Sequence, residues 1–142
     1  MRTKRWDFTL GLGVLLATAL ACNFSASTAN ISSLKISKDK AASTETSSFA
    51  ANDTIYAVAV ISNAPDKLKA KGILSAVQVE GVDAGPLPGA ETTLDLPGSA
   101  TATFTFTPPP TGWPPGRYKV EVLMLNEGGE QKDQKSATFT VS

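Results

Sequence analysis

The chain has 142 residues, with 13 basic and 13 acidic side chains, no histidine and one cysteine. This length predicts one folded domain, and the absence of a basic stripe argues against a nucleic-acid partner. A single cysteine excludes an intrachain disulfide, and the lack of histidine removes the usual zinc ligand and the usual general base at neutral pH. We therefore expect no enzyme and no cofactor or metal.

The N-terminus has the pattern of an export signal. Arg2, Lys4 and Arg5 form a basic start, and an uncharged, mainly apolar stretch follows from Phe8 to Ala21. A membrane-spanning helix needs about 20 apolar residues, so this stretch is too short to remain as a span. We predict that residues 1–21 are a cleaved signal peptide.

The apolar stretch ends in Ala19-Leu20-Ala21-Cys22, which contains the only cysteine of the chain. This sequence resembles the lipobox of bacterial lipoproteins. The resemblance implies cleavage between Ala21 and Cys22 by signal peptidase II and transfer of a diacylglycerol to the Cys22 thiol. The alternative is an ordinary secretory signal that leaves Cys22 unmodified. Because two acyl chains suffice for stable anchoring, we expect attachment to a membrane.

Residues 22–30 are predicted to be a lipid-anchored tether, because the segment from Asn23 to Asn30 is small and polar. In some Gram-negative lipoproteins, aspartate after the cysteine favours retention in the inner membrane. The resemblance therefore implies that Asn23 favours the outer membrane. We expect a cell-envelope protein, on the outer membrane if the host is Gram-negative and otherwise on the outer face of the plasma membrane.

Residues 31–142 are predicted to form an all-β domain, because their apolar residues recur with the two-residue period of strands. Turn residues separate the runs, and proline or glycine interrupts every helical pattern. The seven predicted strands cover residues 31–37, 54–62, 71–80, 91–96, 100–107, 117–126 and 136–141. Strand spacing of this kind is typical of an antiparallel two-sheet β-sandwich.

The alternation also predicts which side chains face the core. In the run from Ala100 to Thr107, alanine and phenylalanine alternate with threonine, so Ala102, Phe104 and Phe106 are expected to point inward. In the strand predicted over residues 71–80, the expected inward set is Ile73, Val77 and Val79. Residues 81–89, with three glycines and two prolines, are predicted to be a loop.

The run from Gly116 to Val122 (GRYKVEV) resembles the opening of the sixth strand in immunoglobulin-like sandwiches. The resemblance implies that Tyr118 is a structural tyrosine corner, whose hydroxyl bonds back to the preceding backbone. The cysteine pair of antibody domains is missing, so the predicted likeness is one of layout. The runs IYAVAVISNAP and GWPPGRYKVEV also resemble small bacterial envelope lipoproteins for which no chemistry is implied.

Trp113 lies between two proline runs and allows two interpretations. An exposed tryptophan on a rigid loop is a possible partner contact, and a polyproline segment can dock into an aromatic groove. Alternatively, the indole folds over the open end of the sandwich and the prolines only stiffen the connection. We favour the second interpretation.

The leading functional hypothesis is a non-enzymatic binding or accessory module with a protein or glycan partner in the envelope. The first alternative is a structural or assembly subunit that pairs an edge strand with a neighbour by β-augmentation. The second is a small hydrolase that uses a serine–lysine pair or paired acids. It is less favoured because the carboxylates are scattered along the chain and no nucleophile motif is present.

Overall fold

The computed structural model describes residues 28–142, which fold into two packed β-sheets. The strands are β1 (Asn30–Ser37), β2 (Ser48–Phe49), β3 (Ile55–Ser62), β4 (Leu68–Val79), β5 (Gly85–Leu96), β6 (Ala100–Phe106), β7 (Gly116–Asn126) and β8 (Gln131–Val141). The order in the three-stranded sheet is β1-β3-β6, and in the five-stranded sheet β2-β8-β7-β4-β5. The prediction of an all-β sandwich is confirmed. Within residues 28–142, no helix has the length and apolar character needed to cross a membrane.

The prediction of seven antiparallel strands is wrong in two respects. There are eight strands, and the additional strand β2 pairs in parallel with the end of β8. The ring of Phe49 packs edge-on against Phe139 at 5.1 Å between centroids, and the N–H of Thr140 donates to the Ser47 carbonyl. Two residues are too few to give a periodic signal, so tertiary packing alone defines this strand.

The predicted inward face of β4 is wrong for Ile73 and Val77 and right for Val79. The residues that β4 contributes to the core are Leu68, Ala70, Leu74, Ala76 and Val79. Ile73 faces outward, and Val77 is 38% exposed. The pairing with β7 shifts register between Ala76 and Gln78, and this irregularity brings Val79 to the buried side.

Strand β5 is longer than predicted, because it begins inside the stretch expected to be a loop. Gly85 and Pro86 pair with β4, and pairing resumes at Glu91, opposite Ile73. The intervening residues, Leu87–Ala90, have no partners on β4 and form what we call the β5 bulge. Its proline and glycine content accounts for the loop prediction, while the paired residues on both sides keep it within the strand.

The core lies between the two sheets, and the predicted alternation in β6 is confirmed. Ala102, Phe104 and Phe106 are buried, with threonines between them on the outer face. The Phe104 ring packs directly on Gly72 of β4, where an added β-carbon would lie 2.6 Å from Phe104 Cδ1. Strand β6 therefore lies across from β4.

The two ends of the sandwich carry different parts of the chain. We call the end at which β1 begins the proximal end and the opposite end the distal end. At the proximal end, β1 begins with Asn30 paired to Ser62, and the N–H of Ile31 donates to the Asp133 carboxylate of the other sheet at 2.8 Å. At the distal end, a proline-rich segment (residues 107–115) connects β6 to β7. Strands of eight residues such as β3 span about 24 Å, so the chain enters about that far from the distal end.

Candidate functional site

A surface cleft of about 460 Å³ lies at the distal end, on the side of the molecule where β5 and β6 are the last strands of their sheets. We call it the distal cleft. One wall is the β5 bulge, and the other is formed by the end of β6 and the proline-rich segment. The bulge displaces the chain from β4, so the cleft results from the same irregularity that interrupts the β4–β5 pairing.

Three aromatic residues form the floor of the cleft: Phe106, Trp113 and Tyr118. Trp113 is 7% exposed and Tyr118 only 1%. Their rings meet edge to face, with centroids 6.1 Å apart, and Tyr118 stacks on Phe139 at 5.4 Å on its other side. Arrangements of this kind add stability beyond the area they bury. The floor is therefore rigid and apolar.

The tyrosine hydroxyl is tied to the backbone just before its strand. Tyr118 Oη donates to the Pro114 carbonyl at 2.6 Å, four residues upstream. This is the type of contact expected of a tyrosine corner. Burial raises the pKa of the Tyr118 hydroxyl, so the neutral, donating form is favoured in the folded protein.

Trp113 is fixed by two hydrogen bonds to the loop that precedes β3. Its backbone N–H donates to the Ala51 carbonyl, and its indole N–H donates to the Asp53 carbonyl, both at 2.8 Å. The Asp53 carboxylate in turn accepts the Ala50 N–H at 2.8 Å and lies 3.3 Å from Lys38 Nζ. The Ala50 hydrogen bond, with Lys38 adding to it, keeps the pKa of Asp53 below its ordinary value.

No charged side chain lines the distal cleft. The hydroxyl-bearing residues at its surface, apart from Tyr118, are Thr92, Thr105 and Thr107. In the part of the chain that the structure describes, no group of three or more histidine, cysteine, aspartate or glutamate residues could hold a metal ion. The acids on β5 are paired instead: Asp95 with Lys69 and Glu91 with Lys71, on the face away from the core. The cleft is suited to an uncharged, mainly apolar group.

The structure brings two of the sequence-predicted residues together, because Trp113 and Tyr118 share the cleft floor. The predicted lipidation and cleavage residues, Cys22 and Ala21, lie outside the described residues. Sequence reasoning missed the β5 bulge, because the prolines and glycines of residues 81–89 predict a loop. It also missed Asp53, whose backbone carbonyl accepts the indole N–H of Trp113.

Replacing Tyr118 by phenylalanine is expected to lower the free energy of unfolding by about 1–2 kcal/mol, because the Pro114 carbonyl loses its donor. A free tyrosine has a pKa of about 10. Since burial raises the pKa of Tyr118, the folded state retains the proton better, and this contribution to stability is lost as pH rises above about 10.

Denaturant unfolding as a function of pH checks both effects. The stability difference between the native protein and Tyr118→Phe should shrink above about pH 10. Tyr56→Phe is the control, because Tyr56 lies on the outer face of the three-stranded sheet and is only half-buried. A Tyr118→Phe variant as stable as native protein at neutral pH would show that the hydroxyl contact contributes nothing.

No family model matches the chain, and no curated protein does. Among solved structures, it is similar to a β-glucosidase from Listeria innocua in complex with glucose, with 18% identity and a TM-score of 0.51. That match covers 82% of this chain but only 16% of the enzyme chain, and at this identity it concerns the fold alone.

Two further solved structures fall below a TM-score of 0.5. A Niemann-Pick type C2 protein from Japanese carpenter ant is 15% identical with a TM-score of 0.48, covering 82% of this chain and 96% of its own. The Pseudomonas fluorescens alkylpurine DNA glycosylase AlkC bound to DNA containing an abasic site analog is 19% identical with a TM-score of 0.47. That match covers 85% of this chain and 32% of the glycosylase.

Proposed function

We propose that this chain is a lipid-anchored protein of the bacterial cell envelope that acts as a non-enzymatic binding module. In this proposal Cys22 carries the acyl chains, residues 23–30 connect the anchor to the domain, and the distal cleft receives the partner. The partner is a protein or glycan of the envelope.

The observation that carries the proposal is the placement of the cleft relative to the point where the chain enters. The tether leads into Asn30 at the proximal end, whereas the cleft lies at the opposite end beside Trp113. A domain held by its N-terminus at a membrane would thus direct the cleft away from the bilayer. A tether of eight residues adds at most about 28 Å to that separation.

The chemistry of the cleft supports binding rather than catalysis. Its lining has no carboxylate, amine or thiol, so no general acid or base with an ordinary pKa near neutrality faces the space. An apolar floor with a few hydroxyl groups at the rim is the common composition of a binding pocket. An immunoglobulin-like layout is part of the proposal, and the Tyr118–Pro114 hydrogen bond supports it.

The anchor is tested by growing cells with a labelled fatty acid and comparing the native protein with Cys22→Ser. We expect label on the native protein and none on Cys22→Ser, because the serine hydroxyl cannot form the thioether that holds the diacylglycerol. The native protein should fractionate with membranes. A Ser25→Ala variant, three residues from the cysteine, is the matched control and should remain labelled. Native protein that is unlabelled and free in the medium would refute the anchor.

A further inference from the structure

The two sheets have four edge strands, and three of them carry features that oppose pairing with another chain. Strand β1 has a register shift between Ile31 and Ser33, and it carries Lys35. Strand β2 has only two residues. Strand β5 contains Pro86, Pro88, two acids and the β5 bulge. Charges, prolines, bulges and short length are the usual means by which edge strands avoid unwanted pairing.

Strand β6 has none of these features. Its sequence, ATATFTF, contains no charge and no proline. It pairs with β3 over seven consecutive residues without a register shift, from Ala100 opposite Ile61 to Phe106 opposite Ile55. Among the described residues no other strand pairs with it. Every second residue of β6 therefore directs its N–H and C=O outward from the edge of a regular, uncharged strand.

The space beside this edge is incompletely filled. Near Gly72, β6 lies across from β4, so the next strand of the five-stranded sheet, β5, is only partly covered there. At the proximal end, residues 97–99 join β5 directly to β6 and the two strands come close together. Thr92 and Leu94 are paired with Gly72 and Ala70 and share their inward face. Gly72 and Ala70 are buried, whereas Thr92 is exposed and Leu94 is half-buried. We call this uncovered strip, beside β6 and over the inward face of β5, the β5–β6 gap. The distal cleft is the part of the gap that lies at the distal end.

We propose that the β5–β6 gap receives one extended polypeptide strand of a partner protein, which pairs with the free edge of β6. Added this way, the strand becomes the fourth in the three-stranded sheet and covers the inward face of β5. Its backbone supplies the hydrogen bonds, and alternate side chains enter the gap. Because the lining of the distal cleft is uncharged, the inserted side chains are small and apolar, while those on the outer face are polar. This inference rests on the proposed binding function and names its partner class.

Strand β5 extends one strand position beyond β6. This favours a single strand, rather than a second copy of this chain, as the occupant of the β5–β6 gap. If two copies paired β6 with β6 about a twofold axis, each copy's β5 would project into the space occupied by the other's five-stranded sheet. The chain's own tether is also a poor occupant. The vacant position is three strand spacings from β1, about 14 Å, and residues 22–27 extend at most about 20 Å, so crossing leaves too few residues to pair.

The test uses the processed protein purified from cells in lipid nanodiscs. The probe is a synthetic peptide of about ten residues, alternating threonine and valine with one lysine at each end, enough to pair along a strand of β6's length. Its control is the same peptide N-methylated at every residue, which has no backbone N–H to donate along either of its edges. Amide hydrogen exchange is followed residue by residue. We expect the outward amides of β6 to exchange rapidly in the free protein and at least about tenfold more slowly with saturating unmethylated peptide.

A matched pair of variants distinguishes binding in the β5–β6 gap from binding to the outer face of β5. Leu94→Glu places a charge in the gap, and we expect it to weaken peptide binding by at least about tenfold. Thr93→Glu adds the same charge one residue earlier on the opposite face and should leave binding unchanged. Unchanged exchange rates along β7 in both variants show that they remain folded.

Four outcomes would overturn the inference. They are no slowing of β6 exchange by the peptide, equal binding of the N-methylated peptide, equal weakening by both variants, and β6 amides already protected in the free protein. In the last case, protection that depends on protein concentration identifies a second copy, and protection independent of concentration identifies the chain's own segment. If an envelope partner still contacts the cleft when the peptide fails, the binding function stands and only strand addition is wrong.

Discussion

Gly116→Ala is expected to destabilise the domain by at least about 3 kcal/mol, because backbone strain and a steric clash coincide at this position. Gly116 has a φ of 150°, and an added β-carbon would lie 2.4 Å from the Gln78 carbonyl oxygen and 2.6 Å from Val79 Cα. Both neighbours are backbone atoms, so no side-chain rotation relieves the clash. The backbone of β4 would have to move where it pairs with the start of β7. Urea or guanidinium unfolding measures the loss.

Gly129→Ala separates backbone strain from steric clash, because it introduces only the strain. Gly129 also has a positive φ, 87°, but no atom lies within 4 Å of its added β-carbon. The variant should therefore lose only about 1–2 kcal/mol, from backbone strain alone. Equal effects of the two variants would show that the close approach of β7 to β4 at Gly116 is not important for stability.

Trp113→Ala is expected to lower the free energy of unfolding by about 3–5 kcal/mol, as is usual when a buried aromatic side chain is removed. The indole is nearly buried, contacts Tyr118 and donates to the Asp53 carbonyl. Its loss removes part of the floor of the distal cleft and a connection between the loop before β3 and the proline-rich segment. Thermal and denaturant unfolding report the change.

Trp113→Phe distinguishes packing from hydrogen bonding at the same position. The phenyl ring retains most of the contact with Tyr118, but the Asp53 carbonyl loses its donor, so we expect a loss of about 1–3 kcal/mol. The alanine variant should be clearly less stable than the phenylalanine variant. If both are within about 0.5 kcal/mol of native protein, Trp113 is a surface residue in solution and the floor of the cleft is wrongly described.

The fold class and most strands could be predicted because alternation is strong where strands are regular. Strand β6 shows this best, since its threonines and apolar residues separate cleanly between faces. Strand β4 shows the limit. Beyond Gly72 its apolar residues fall on both faces, so the pattern placed Ile73 and Val77 inward although Leu74 and Ala76 are the buried residues. The register shift after Ala76 is what brings Val79 to the buried side.

The site could be predicted only in part. Tyr118 was identified from a local motif, because its hydrogen-bond partner lies four residues away. The hydrogen bond between Trp113 and the Asp53 carbonyl joins residues 60 apart in sequence, so no local sequence pattern predicts it. The cleft depends on a bulge in β5 and on the lateral offset between two sheets, which are tertiary properties.

The central claim is that an envelope partner is bound at the distal end, away from the anchor. We would place a photo-crosslinking amino acid at Thr92, on the exposed rim of the cleft, and separately at Glu127, exposed at the proximal end. Irradiation of living cells should give a discrete adduct from position 92 and none from position 127. No adduct at position 92, or the same adduct from both positions, would contradict the account.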